Sequence, residues 1–163
     1  MEKSSTLHLL CGKMAAGKST LAKKLSQKHG VVVFSEDDLL AALYPGDVTD
    51  IASYVKLSDR IKLALESIIV NLLTGGTSLI LDFPANTVTQ RSWLVGLAKK
   101  ANSHHVLYFL DVPENTCKIQ LEKRATEVPE RAATDTPEMF DAISKFFEPP
   151  TDDEGLNIAV VDH

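Results

Sequence analysis

One segment near the amino terminus limits the folds open to this chain more than any other. Residues 12–19 read GKMAAGKS and satisfy every fixed position of the pattern G-x-x-x-x-G-K-[S/T]. The apolar residues 7–11 precede this segment, and the helix-forming residues 20–25 follow it. The pattern is meaningful only where a strand runs into a glycine turn and then into a helix. The order of these residues therefore predicts a strand–loop–helix unit.

The glycine turn has the features of a phosphate-binding loop, or P-loop. Gly12 and Gly17 let the backbone fold around an anion, and N–H groups at the start of the helix point toward it. The Lys18 ammonium group can reach the outer phosphates of a nucleotide, and the Ser19 hydroxyl can bind Mg²⁺. A dinucleotide-binding turn fits poorly, because Met14 stands where its second glycine is required. We expect the loop to bind a nucleoside triphosphate through Gly12, Lys13, Met14, Ala15, Ala16, Gly17, Lys18, Ser19 and Thr20.

Length and charge exclude several classes of function. The chain has 163 residues, which suits a single domain over residues 1–163. Its formal net charge of −5 argues against a general attraction to nucleic acid or to anionic membranes. No apolar run is long enough to span a bilayer, and no signal peptide is visible before the first strand. We therefore expect a cytoplasmic protein without a membrane partner.

Apolar segments alternate with helix-forming segments along the whole chain. A helix predicted at residues 51–73 keeps its apolar residues at intervals of three and four. Strands that are apolar on both faces and are separated by helices are typical of a parallel sheet covered on both sides. The pattern therefore predicts an α/β fold. The strand-like segments are residues 7–11, 31–34, 79–81, 106–110 and 158–161.

Acidic residues follow the second predicted strand directly, as the run SEDD at residues 35–38. In parallel sheets, ligands bind beyond the carboxyl ends of the strands, so a carboxylate here would face the P-loop. It could accept the proton of a substrate hydroxyl during phosphoryl transfer. Because three consecutive acids cannot point the same way, we expect one to be functional and the others to cap the following helix or to be solvated. We favour Asp37 as the base and leave Asp38 as the alternative, with a substrate-binding role.

Two further candidates lie at or after the third predicted strand. Asp82 ends that strand and can hold a Mg²⁺-bound water or a substrate group, or simply cap the strand end. Arg91, on the next predicted helix, can reach the same cleft and bind substrate, although helix arginines are often only solvated. We therefore assign Asp82 to metal and substrate binding and Arg91 to substrate binding.

Basic residues late in the chain are candidates for a lid. Arg124 and Arg131 flank a polar segment, and arginines on such a segment can close over a triphosphate and neutralise charge that develops during transfer. Lys123 is an alternative, and an ordinary polar loop with mixed charges is the other interpretation. We expect a short lid at about residues 124–136.

These motifs, taken in order, resemble the small P-loop kinases of the nucleoside-monophosphate-kinase-like group. The chain is similar in particular to predicted ATP-dependent kinases of the AAA-like class, and to zeta toxins, chloramphenicol phosphotransferase and gluconokinase. The resemblance covers nearly the whole chain. It implies a three-layer α/β/α P-loop NTPase fold, with a five-stranded parallel sheet in the order 2-3-1-4-5. It also implies that the P-loop binds ATP and Mg²⁺, that Asp37 is the base, and that Arg124 and Arg131 belong to the lid.

The function that we expect from these residues is an ATP-dependent kinase. Such an enzyme would transfer the γ-phosphate of ATP to a hydroxyl group of a small-molecule acceptor. One alternative is a kinase that acts on nucleotides or on nucleic-acid 5′ ends, against which the negative net charge speaks. The other alternative is a non-catalytic ATP-binding module or a toxin-like regulatory module.

Overall fold

A five-stranded parallel sheet forms the centre of the protein, in the order β2-β3-β1-β4-β5. The computed structural model describes residues 4–132 and 135–161. The strand order is the one that the family resemblance implies, and that prediction is confirmed. The strands are β1 (Thr6–Cys11), β2 (Val32–Ser35), β3 (Leu79–Asp82), β4 (His104–Phe109) and β5 (Ile158–Val160).

Helices connect the strands and cover both faces of the sheet. The long helix predicted at residues 51–73 is present as α3, and Asp50 caps its first turn by accepting the Ser53 N–H at 2.7 Å. Within the described ranges, no helix is both long enough and apolar enough to cross a membrane. The helices are α1 (Lys18–His29), α2 (Glu36–Leu43), α3 (Ile51–Thr74), α4 (Val88–Lys100), α5 (Glu114–Glu127) and α6 (Pro137–Ser144), with short 3₁₀ turns at Pro129–Arg131 and Asp152–Glu154.

The two faces of the sheet are buried against different helices. Leu9 and Leu81 pack into the cluster that contains the apolar residues of α3 and α4. Their neighbours Leu10 and Ile80 point to the opposite face and pack against Ala22 of α1. Successive strand residues alternate between faces, so a strand covered on both sides must be apolar throughout. This burial explains why the central strands are continuous apolar runs in the sequence.

The carboxyl edge of the sheet brings distant polar residues together. In the parallel register, Ser35 at the end of β2 pairs with Asp82 at the end of β3. β1 lies on the other side of β3 and leads at Cys11 into the glycine loop. The acidic turn after β2, the acid that ends β3 and the P-loop therefore meet at one edge, as the rule for parallel sheets requires.

The chain crosses this edge between α6 and β5. The Phe147 ring stacks on Phe109, with ring centroids 6.4 Å apart. The Glu148 N–H donates a 2.8 Å hydrogen bond to the Asn86 carbonyl in the loop after β3. This crossing segment, residues 145–157, therefore packs against the β3–α4 loop beside the P-loop.

Candidate active site

The shape of the P-loop depends on its two glycines. A Cβ atom at Gly12 would lie 3.1 Å from the Leu110 carbonyl oxygen and 3.2 Å from the Ala16 Cβ, so a side chain there would require these neighbours to shift. Gly17 has a φ of 102°, which residues with a side chain rarely adopt, and α1 begins at the next residue. The loop therefore turns tightly into the amino terminus of a helix, where N–H groups attract an anion.

Lys18 folds back over this loop. Its ammonium group donates hydrogen bonds to the Gly12 carbonyl at 2.5 Å and to the Lys13 carbonyl at 3.0 Å. Burial lowers the pKa of Lys18, while the nearby Asp82 carboxylate opposes that shift. The ammonium group is thereby held at the mouth of the loop, where it can contact the outer phosphates of a nucleotide.

The other predicted loop residues surround this centre. Met14, Ala15 and Ala16 pack against a cluster of apolar residues from the β4–α5 connection, α5 and α6, while Thr20 is exposed. The Lys13 ammonium group lies 3.3 Å from the Glu114 carboxylate and over the Phe147 ring. The Lys13 side chain therefore contacts α5 through Glu114 and the crossing segment through Phe147.

Ser19 and Asp82 form the pair of oxygen ligands predicted for Mg²⁺. The Ser19 hydroxyl donates a 2.8 Å hydrogen bond to Oδ2 of Asp82. Burial raises the pKa of Asp82, and the bond from Ser19 opposes that rise. A hydroxyl and a carboxylate are hard oxygen donors of the kind that Mg²⁺ prefers. No group of three or more His, Cys, Asp or Glu suited to a metal ion occurs in the described ranges, and Mg²⁺ in phosphate sites needs only one or two carboxylates.

The acids after β2 point in different directions. Glu36 is only 2% exposed, and its carboxylate accepts hydrogen bonds from the Tyr54 hydroxyl and, at 2.7 Å, from the Ser58 hydroxyl. The Asp37 side chain is 62% exposed at the amino terminus of α2. The cap of this helix is Ser35, whose hydroxyl accepts the Asp38 N–H at 3.2 Å. The Glu36 side chain therefore points into the protein, whereas the Asp37 side chain points toward solvent.

Glu36 is a residue that we did not single out from the sequence. Its partners Tyr54 and Ser58 lie four residues apart on one face of α3, so the three side chains join the start of α2 to α3. The only signal in the sequence is this spacing, which has no meaning until the two helices are known to pack together.

The two candidate lid arginines meet at one carboxylate. Arg124 donates to both oxygens of Asp135, at 2.6 Å and 3.0 Å, and Nε of Arg131 donates to the same carboxylate at 3.1 Å. Nη2 of Arg131 also lies 3.6 Å from Oδ2 of Asp37. The fold therefore brings the predicted base and a predicted lid arginine together. Residues 133 and 134 of the predicted lid segment lie outside the described residues.

Arg91 is placed differently from our expectation. Its side chain is fully buried, and its guanidinium group donates to the Glu154 carboxylate at 2.8 Å and to the Ala85 carbonyl at 3.0 Å. Glu154 comes from the crossing segment. A guanidinium paired in this way contributes to the packing of the fold and is not presented to a substrate.

Asn86, in the loop after β3, contacts the P-loop directly. Its side-chain oxygen accepts the Gly12 N–H at 3.0 Å, and its own N–H donates to the Gln90 side chain at 2.9 Å. Asn86 thus ties the first glycine of the P-loop to the start of α4. The sequence does not predict this contact with Gly12, because the two residues are 74 positions apart.

A comparison with protein families gives one result and a comparison with curated proteins gives none. A family model for an AAA domain matches residues 7–150. No curated protein has significant sequence similarity to the chain.

Several solved structures share the fold of this chain. A candidate kinase from Chloroflexus aurantiacus has a TM-score of 0.74 and 18% identity, over 99% of this chain and 86% of its own. A sugar kinase from Janibacter sp. HTCC2649 has a TM-score of 0.65 and 16% identity, over 98% and 85%. The Mycobacterium tuberculosis APS kinase CysC in complex with AMPPNP and APS has a TM-score of 0.62 and 17% identity, over 100% and 91%. At these identities the similarity establishes the P-loop kinase-like fold.

Proposed function

The chain belongs to this AAA domain family, and on that premise we propose that it is an ATP-dependent kinase. It transfers the γ-phosphate of ATP to a hydroxyl group of a small-molecule acceptor. The observation that carries this proposal is the position of Asp37, an exposed carboxylate at the same edge as Lys18 and separate from the Ser19–Asp82 pair. A module that only binds nucleotides does not need such a second acid. Phosphoryl transfer to an alcohol needs one to accept the proton of the hydroxyl group.

The residues of the site have distinct roles in this reaction. The P-loop N–H groups and Lys18 bind the phosphates and orient the γ-phosphorus toward the acceptor. Asp37 accepts the proton of the acceptor hydroxyl while the hydroxyl oxygen forms a bond to the γ-phosphorus. The bond from phosphorus to the bridging oxygen breaks, and ADP leaves. Arg124 and Arg131 neutralise the negative charge that develops on the transferred group.

Ser19 and Asp82 are the residues that we assign to Mg²⁺. When bound, Mg²⁺ would supply positive charge that offsets the negative charge of the ATP phosphates. The short contact between the two side chains holds their oxygens on the phosphate side of α1. ATP as the nucleotide is supported by the fold neighbour from M. tuberculosis, whose structure contains AMPPNP.

The acceptor is proposed only as a class. The M. tuberculosis neighbour is an APS kinase whose structure contains APS. The alternative acceptors for this chain are nucleotides and nucleic-acid 5′ ends. The net charge of −5 favours a small molecule over a long polynucleotide.

A screen for phosphorylated products tests the proposal. The protein is incubated with Mg·ATP and pools of hydroxyl-bearing metabolites and antibiotics, together with nucleosides and a 5′-hydroxyl oligonucleotide, and products are detected by ³¹P NMR and mass spectrometry. The proposal predicts ADP and one phosphorylated small alcohol, neither of which forms with Lys18→Ala. Phosphorylation of the nucleosides or the oligonucleotide alone supports the nucleic-acid alternative. ATP binding without transfer to any compound supports the non-catalytic alternative.

A further inference from the structure

We propose that Asp135 is a positioning residue. Its carboxylate orients the guanidinium groups of Arg124 and Arg131 so that they can contact the phosphates of ATP. This inference rests on the proposed function, because it assigns the two arginines to the phosphates of ATP. It adds a residue that no motif of the sequence identifies and that does not itself contact the nucleotide.

The first observation is the geometry of the cluster. Arg124 presents Nε and Nη2 to the two oxygens of Asp135 at 2.6 Å and 3.0 Å, which is the paired arrangement that fixes a guanidinium plane. Nε of Arg131 donates to Oδ2 of the same carboxylate at 3.1 Å. One carboxylate therefore sets the direction of both guanidinium groups.

The second observation is the difference in burial. The Asp135 side chain is 1% exposed, whereas the side chains of Arg124 and Arg131 are 32% and 35% exposed. A buried carboxylate is stable only when it is paired and hydrogen-bonded, so Asp135 holds its partners firmly. The arginines remain partly open to the site.

The third observation is that Asp135 has a fixed backbone. Its N–H donates to the Arg131 carbonyl at 2.7 Å. The next residue, Thr136, caps α6 by accepting the Met139 N–H at 3.1 Å, and α6 is packed into the core through the fully buried Phe140. The carboxylate is therefore held at the start of a packed helix rather than on an independent loop.

Charge explains why such a residue is needed. Two guanidinium groups brought to one phosphate repel each other, and a carboxylate between them offsets that repulsion. Nη2 of Arg131 extends to Asp37 at 3.6 Å, and Arg124 is close enough to lower the pKa of Lys18 by repulsion, after the larger effect of burial. Arg131 therefore lies beside the proposed base Asp37, and Arg124 lies near enough to Lys18 to influence its charge.

Calorimetric titration with Mg·ATP tests the proposal on the full chain. Asp135→Asn keeps the shape of the side chain and removes its charge, and we expect it to weaken Mg·ATP binding about tenfold or more. Asp141→Asn is the control, since it removes the charge of an aspartate within α6 and breaks an exposed pair with Lys118. The control is expected to bind as the parent protein does.

A double-mutant cycle separates positioning from a general effect on the fold. In a background that carries Arg124→Ala and Arg131→Ala, Asp135→Asn should change the Mg·ATP dissociation constant by less than about threefold, because no arginine remains to be oriented. An equal loss in both backgrounds would overturn the proposal. A parent protein that fails to bind Mg·ATP would instead overturn the proposed function, and this inference with it.

A second variant keeps the test decisive if Asp135→Asn does not fold. Arg124→Lys retains the positive charge but loses the paired contact with Asp135. We expect its Mg·ATP affinity to fall nearly as far as that of Arg124→Ala. Binding by Arg124→Lys at the parental affinity would mean that charge alone suffices, and would contradict a role for Asp135 in orientation.

Discussion

The Ser19 hydroxyl donates a 2.8 Å hydrogen bond to the Asp82 carboxylate, although the two residues are 63 positions apart. This contact joins the first turn of α1 to the end of β3, the strand that neighbours β1. It places a hydroxyl and a carboxylate oxygen side by side at the phosphate side of the P-loop, and the assignment of both residues to Mg²⁺ depends on it.

Removing either member of this pair should weaken the dependence of nucleotide binding on magnesium. Asp82→Asn is expected to lower Mg·ATP affinity about 10- to 100-fold, and Ser19→Ala by a similar or smaller factor. Affinity for ATP in EDTA should change much less, because the P-loop N–H groups and Lys18 remain. Titrations with and without Mg²⁺ measure both quantities. An equal loss under the two conditions would count against a metal role.

Asp37→Asn should stop transfer without abolishing nucleotide binding. Once the screen has identified an acceptor, we expect turnover to fall about 10²- to 10⁴-fold, because the acceptor hydroxyl loses its base. Steady-state kinetics measure turnover, and a titration checks that Mg·ATP affinity changes by no more than a few-fold. Asp38→Asn is the comparison variant on the same turn of α2, because Asp38 is the alternative base. If Asp38→Asn loses turnover and Asp37→Asn does not, the roles of the two acids are reversed.

Glu154→Gln should destabilise the fold. Arg91 is fully buried, and the variant leaves its guanidinium group without a charged partner, which costs about 3–5 kcal/mol. For a chain of this size, that cost corresponds to a fall in the thermal midpoint of roughly 2–4 °C per kcal/mol. Thermal unfolding measures it. Glu66→Gln breaks only an exposed pair with Lys100 and should change stability by less than about 1 kcal/mol. Equal midpoints for the two variants would contradict a structural role for Arg91.

Glu36 should make stability depend on pH in a defined direction. Burial raises the pKa of Glu36 above its ordinary value of 4.5, although hydrogen bonds from Tyr54 and Ser58 oppose the rise. The folded protein therefore binds this proton more tightly than the unfolded chain. The stability that this proton contributes is complete below pH 4.5 and is lost as the pH rises through the pKa of the folded state.

The Glu36→Gln variant measures this effect, because its side chain does not titrate. The thermal midpoint of the variant minus that of the parent protein should become more positive as the pH rises from about 4 to about 8. Glu122→Gln, an exposed residue on α5, should give a difference that is nearly constant with pH. A constant difference for Glu36→Gln as well would contradict the raised pKa.

Much of the fold could be predicted because its signals are local. The GKMAAGKS segment defines β1, the loop and α1, and apolar periodicity predicts α3 almost to the residue. The strand order followed from the family resemblance and is confirmed by the sheet. The edge at which Asp37 and Asp82 meet followed from the rule for parallel sheets. Their roles in catalysis and metal binding stay predictions.

The parts that could not be predicted depend on contacts between distant residues. Arg91 was predicted to bind substrate, but its side chain is fully buried and is paired with Glu154, 63 residues later. Asn86 contacts the P-loop across 74 positions, and Asp135 pairs with both Arg124 and Arg131. Side-chain orientation in each case is decided by tertiary packing, for which residue type and local spacing carry no signal.

Binding of Mg·ATP at the P-loop is the claim on which the rest depends, and isothermal titration of the parent protein and Lys18→Ala tests it most directly. We expect saturable binding of one Mg·ATP per chain by the parent protein, and loss of most of that affinity in Lys18→Ala, because Lys18 is held at the mouth of the loop by the Gly12 and Lys13 carbonyls. No heat of binding in the parent protein, or equal affinity in the two proteins, would contradict the account.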